Sequence, residues 1–199
     1  MPTTSKISEM IENVFRNPPI MLGEDPAAFE ELKELVLAEV QPTTMQKVLL
    51  AKDITFKTWE SLRLASLKAG MVSAEVPRII ASEMSESPLS AVNLLEIVDI
   101  RQHLSRIRAG DPVAKKEFEK LLQEHGLSLS DVTADAYAKT IIAQLHADRM
   151  ASAADQQIKA SYAELERLSA KEVNAAQTQA QRIEDYELDR DEEAPATAP

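Results

Sequence analysis

Apolar positions recur at spacings of three and four along most of this chain, with charged residues on the intervening side. The pattern predicts helices rather than strands. From Lys6 to Arg16, Ile7, Met10, Ile11, Val14 and Phe15 form one stripe, and Asn17-Pro18-Pro19 stops it. Asp25-Pro26 opens the next helix, since Asp accepts from a free N–H of the first turn and Pro sacrifices no bond there. Phe29, Leu32, Leu35, Val36 and Val40 line that helix, and Gln41-Pro42 closes it. Thr43 or Thr44 caps a second helix. Its broad apolar face holds Met45, Val48, Leu49, Phe56, Trp59 and Leu62, and Gly70 is expected to end it. A short break between two such helices predicts an antiparallel pair over 25–70. Phe29, Leu32, Val36, Leu49, Phe56, Trp59 and Leu62 are its expected core, with Trp59 buried against the Phe29–Val36 stripe.

The same signals continue. A short helix is expected over 76–84, with Pro77 in its first turn, and another over 88–109 behind a Ser87-Pro88 cap. Asp111-Pro112 starts a helix over 112–125, closed by Gly126. Together these form a helical body over residues 5–126. From a cap at Ser130 or Asp131 to about Glu187 there is neither Gly nor Pro, which predicts a long C-terminal helix over 130–187. Tyr137, Ile141, Ile142 and Leu145 make its beginning apolar. Ala147–Gln157 has almost no large apolar residue and reads as a break or a solvated stretch. Ile158, Tyr162, Leu165, Leu168, Val173 and Ile183 then resume a stripe. The acidic residues 188–199 read as a disordered tail. The predicted fold class is all-α, a multi-helix bundle with a long C-terminal helix and a disordered acidic tail.

Residues 23–63 carry the pattern Gly-Glu-Asp-Pro-x-x-Phe-x-x-Leu, then Glu39, Pro42, Gln46, Leu49, Trp59 and Arg63. This segment resembles a family of uncharacterised bacterial helical proteins that share the Gly-Glu-Asp-Pro cap and a Trp-x-x-x-Arg helix after it. Members tend to have a basic segment before the motif and several arginines around the tryptophan, where this chain has Glu60-Ser61 and a lone Arg63. The resemblance implies a helical element and no activity.

Charge and composition narrow the function. The net charge is −11, of which Glu184–Pro199 supplies −6 and the rest of the chain −5. An acidic total argues against a polyanion-binding surface, which needs clustered Lys and Arg. The densest basic group, Arg101, Arg106 and Arg108, complements the end of a helix dipole. There is no cysteine, and no apolar run approaches the roughly 20 residues of a membrane span. The N-terminus lacks a secretory layout, so a cytoplasmic location is expected. His103, His125 and His146 lie on different predicted helices and read as surface pairing or capping residues, Asp99–His103 among them. No Gly-rich phosphate loop, Gly-x-Ser-x-Gly turn or Cys nucleophile is present. The chain is therefore read as a non-enzyme with no catalytic residue, metal or cofactor site.

The expected function is an interaction or scaffolding protein that self-associates or binds a partner protein through the C-terminal helix, with no membrane contact. Ile158, Tyr162, Leu165, Leu168, Val173 and Ile183 are the candidate partner-binding residues, and a homodimer through them is expected. The alternative is a nucleic-acid-associated accessory protein using the 23–63 helix pair; an enzyme of unknown type comes third.

Overall fold

The computed structural model describes residues 4–84 and 92–192, with side chains placed over 6–84 and 97–183. Six helices account for these residues: α1 Thr4–Phe15, α2 Pro26–Val40, α3 Met45–Met84, α4 Val92–Arg108, α5 Pro112–Glu124 and α6 Leu129–Glu192. The fold is all-α, with a long C-terminal helix. None of the described helices is long and apolar enough to cross a membrane. The Ser87-Pro88 cap and residues 193–199 of the acidic tail lie outside the described residues.

Local capping chemistry sets most helix ends. The Asp25 carboxylate accepts from Ala27 N at 2.9 Å, with Pro26 leading α2. Gln41 terminates α2 in the left-handed region, its N–H donating to the Leu37 carbonyl at 3.0 Å. Thr44 caps α3, its hydroxyl accepting from Lys47 N at 3.3 Å. At α4 and α5 the chain leaves through Gly110 and Gly126, both at positive φ. In each, paired bonds (Gly110 N to Ile107 O and Asp111 N to Arg106 O; Gly126 N to Gln123 O and Leu127 N to Leu122 O) close the last turn.

Three boundaries differ from expectation. Gly70 does not end its helix, and 76–84 is no separate helix: α3 runs on through both Gly70 and Pro77. Pro in a helix interior costs about 3 kcal/mol and Gly about 1. Val76, Ile79, Ile80 and Ala81, all buried, sit on that same turn and hold the helix together by packing. The cap of the C-terminal helix is Ser128, not Ser130 or Asp131; its hydroxyl accepts from Asp131 N at 3.1 Å and donates to the Asp131 carboxylate at 2.6 Å. The helix is also unbroken over 147–157 and extends to Glu192, so residues 188–192 are helical rather than tail.

The chain divides into two compact units, residues 1–59 with 154–199 and residues 60–153. This division differs from a body over 5–126 followed by an appended helix, because α6 supplies core residues to both units. In the first, Val36, Ala51, Ile54 and Leu165 form the core, with Leu32, Leu37, Val40, Leu50 and Tyr162 packed on it. An aromatic group adjoins: Phe29 meets Phe56 at 5.9 Å and Trp59 at 5.5 Å, edge to face, and Phe15 meets Phe56 at 5.8 Å. Trp59 is half-buried rather than buried, and its indole N–H donates to Glu24 at 3.0 Å. Leu49 and Leu62, both expected in the core, are 42% and 52% exposed. The inward turns of α3 instead use Val48, Ala51, Ile54 and Thr55, and Leu49 sits on the far side of the helix from them.

In the second unit, Val76, Ile79, Ile80, Ala81, Ile100, Phe118, Leu122, Val132 and Ala136 form the core. There α6 runs antiparallel to α3: Val132 and Ala136 join the cluster of Ile79 and Ile80, while Asp148, farther along α6, pairs with Lys68, earlier on α3.

Candidate interaction face

Two polar devices fix the rotation of α6 in the second unit. Ser128 and Asp131 close its first turn, and Asp131 also complements the positive end of the helix dipole. A hydrogen-bonded ladder then points inward. Thr140 donates to the Ala136 carbonyl at 2.8 Å and accepts from the buried Gln144 amide at 2.7 Å. Val132, Ala136, Gln144 and Ala147 thus make the covered side.

The opposite side of the same turns carries Ala134, Ala138, Ile141, Ile142 and Leu145, with Tyr137 flanking. Ile142 is 70% exposed, and Tyr137, Ile141, Leu145 and Met150 are exposed as well. Scattered exposed apolar residues are ordinary, but a run on one face of one helix is the feature that marks an interaction site. Ala134, Ala138, Ile141 and Leu145 follow four-three-four spacing, the seam pattern of helix-on-helix packing.

The residues expected to bind a partner divide differently. Leu165 is 8% exposed and belongs to the chain's own core with Val36, Ala51 and Ile54. Tyr162 packs on that core and donates to Glu39 at 3.1 Å. Burial and the Glu39 hydrogen bond hold its phenol above the usual tyrosine range. Ile158 and Leu168 are half-buried, and Val173 and Ile183 are exposed. Beside them Lys47 is buried and donates to Glu172 at 2.6 Å, and Arg167 clasps Glu164 through two 2.6 Å bonds. The sequence points to the later stripe because its bulky residues are plain to see; it gives no sign that Tyr162 and Leu165 already pack on the chain's own core.

Most of the remaining candidates are occupied locally. Arg106 grips Asp111 through Nε at 3.1 Å and Nη2 at 2.7 Å. The carboxyl of Asp111 is held below its ordinary value by the Ala114 N–H first and by Arg106 next. Arg108 donates to the Ser73 hydroxyl at 3.1 Å, and Arg101 is exposed. His103 on α4 and His125 at the C-cap of α5 line one cavity of about 390 Å³ with Asp99, Ile100, Phe118 and Leu121. Each ring donates Nδ1–H to the carbonyl four residues back, His103 to Asp99 at 3.1 Å and His125 to Leu121 at 3.0 Å. His103 also stacks on Phe118 at 5.9 Å. Among the described residues no group of three or more His, Asp or Glu side chains is placed to hold a metal ion. His146 is exposed on α6 and joins no such group.

No family model, curated protein or solved structure matches this chain.

Proposed function

We propose that this protein is a non-catalytic helical interaction module that docks a partner helix on the outward face of α6. One observation carries the reading: Tyr137, Ile141, Ile142 and Leu145 remain exposed on a helix whose other side is already packed. Ile and Leu side chains each gain about 1.5–3 kcal/mol on full burial, so such a face has a standing drive to be covered. It lies on a rigid, capped helix, so docking requires little ordering of the backbone. The module is also proposed to act in the cytoplasm, where a cysteine-free helical chain loses nothing to a reducing environment. The likeness of 23–63 to the bacterial helical family bears on the first unit's helix pair and leaves this reading unchanged.

The test is site-specific photo-crosslinking in cells that express the chain. A photoreactive residue at Ile142 should yield a discrete adduct, whereas one at the exposed Lys116 on α5 should not. Equal labelling at the two positions would remove the α6 face from consideration.

A further inference from the structure

The charges beside the apolar face select its occupant. Asp135 and Arg149 are both exposed, and neither forms an ion pair among the described residues. They stand seven residues before and seven residues after Ile142, on the same flank of the Ala134–Ala138–Ile141–Leu145 seam. With Ala134 and Ile141 as one seam position and Ala138 and Leu145 as the other, Asp135, Ile142 and Arg149 share the flanking position that follows the first.

We propose that the occupant is a second copy of this chain, its α6 lying antiparallel across the first about a two-fold axis near Ile142. Such an axis brings Ile142 beside its own counterpart. It sets Asp135 of each copy beside Arg149 of the other, twice, about 21 Å apart along the helix. Flanking charge pairs of this kind decide partner and orientation in paired helices. A parallel in-register pairing has no equivalent, because it places Ser130 or Tyr137 beside Asp135 and Gln144 beside Arg149. The interface is isologous, as in most soluble dimers. Ala134 and Ala138 let the two backbones approach at the ends of the seam, while Ile141, Ile142 and Leu145 fill its middle. The seam spans only about two heptads, so the affinity is modest, roughly micromolar.

This rests on the α6 face being the docking surface, and the experiment separates the two. Sedimentation analysis over a concentration series is run on the wild type, Asp135→Arg, Arg149→Asp, the double reversal, and Ile142→Asp with Leu145→Asp. Circular dichroism confirms that each is helical. The wild type should double its mass with rising concentration. Either single reversal should weaken the dimer about tenfold or more, because it opposes like charges at both ends. The double reversal should restore it, which only self-pairing in this register can do. A monomeric wild type at every concentration overturns the second copy and leaves the docking face to a different helix. A dimer in which the double reversal is no better than the singles overturns the register. A dimer that survives Ile142→Asp with Leu145→Asp overturns both the pairing and the face.

Discussion

Between Leu129 and Met150, α6 covers its inner side with Val132, Ala136, Gln144 and Ala147 and leaves Ile141, Ile142 and Leu145 outside. Between Ala154 and Ala170 the arrangement is reversed. Tyr162 and Leu165 face the core, and the outer side holds Gln156, Lys159, Ala163, Arg167 and Ala170, all exposed. The same helix therefore uses its large apolar residues for its own fold in one stretch and spares them in the other. The difference lies in what the inner side is made of. Where Ala136 packs with Ile79 and Ile80, little bulk is needed to fill the space. Where the opposing residues are Ala51 and Ile54 beside Val36, a leucine is required. Size alone does not tell inside from outside.

The largest expected effect comes from exchanging charges into the two stretches. Leu165→Asp removes a buried leucine, a loss of about 2–5 kcal/mol, and adds an unpaired buried carboxylate. It should unfold the first unit or lower its denaturant midpoint severely. Leu145→Asp should leave the midpoint of the monomer within about 0.5 kcal/mol, the range of surface substitutions. Urea titration of dilute protein, followed by the circular dichroism of both variants, decides this. Comparable losses in the two would erase the distinction on which the docking face depends.

A second break in the comparison is within the cores. Phe118 is buried at the centre of the second unit and Phe29 at the aromatic group of the first. Each Phe→Ala change should cost about 3–5 kcal/mol. Trp59, the chain's one tryptophan, is edge-on to Phe29, so its emission should change in the folded Phe29→Ala variant and not in the Phe118→Ala variant. Unaltered emission with Phe29 removed would place the indole elsewhere.

What the sequence made legible was chiefly local. Asp25-Pro26, Thr44, Asp111-Pro112, Gly110 and Gly126 act through bonds to residues within one turn, so the residues themselves reveal the helix end. Gly70 and Pro77 carry the same local signals and are overruled by packing from Val76 to Ala81, which no local rule contains. Leu49 and Leu62 misled in the same way as Leu165. Each is a large apolar residue at helical spacing, and burial depends on which chain segments pack against that turn, as Leu165 does on Ala51 and Ile54 from more than a hundred residues away. Of the face on α6, Tyr137 to Leu145 was visible as an apolar run. Its being outside follows from Ala136, Gln144 and Ala147 being inside, and small or polar residues leave no hydrophobic trace.

A smaller effect is expected at the polar edge of the first unit. Lys47 is buried while its partner Glu172 stays half exposed. Glu172→Gln leaves the ammonium without its counter-charge and should cost about 1–2 kcal/mol, below the figure for a fully buried pair because water reaches the carboxylate. Replacing Lys47 by Met as well should recover part of the loss. A double variant less stable than Glu172→Gln alone would show that the lysine is held by something besides this pair.

The smallest effect, and the one with a definite sign in pH, concerns Tyr162. Its neutral phenol donates to Glu39 and is partly buried, and burial first, then that bond and the Glu39 charge, raise its folded value above the ordinary 10.0. A raised folded pKa means that the stabilising contribution is complete below the unfolded value and is lost as pH rises through the folded one. The ionised form would also set a phenolate beside the Glu39 carboxylate. Tyr162→Phe should therefore cost about 0.5–1 kcal/mol at neutral pH, the net worth of one partly exposed hydrogen bond. Urea midpoints of wild type and variant, measured together from neutral pH into the alkaline range, should converge as the pH rises past the ordinary tyrosine value. Every other titratable group is common to the two proteins, so only the difference between the two curves reports on this phenol. A difference that stays constant throughout would mean that Tyr162 holds its place by ring packing alone, as Leu165 does one turn along the same face.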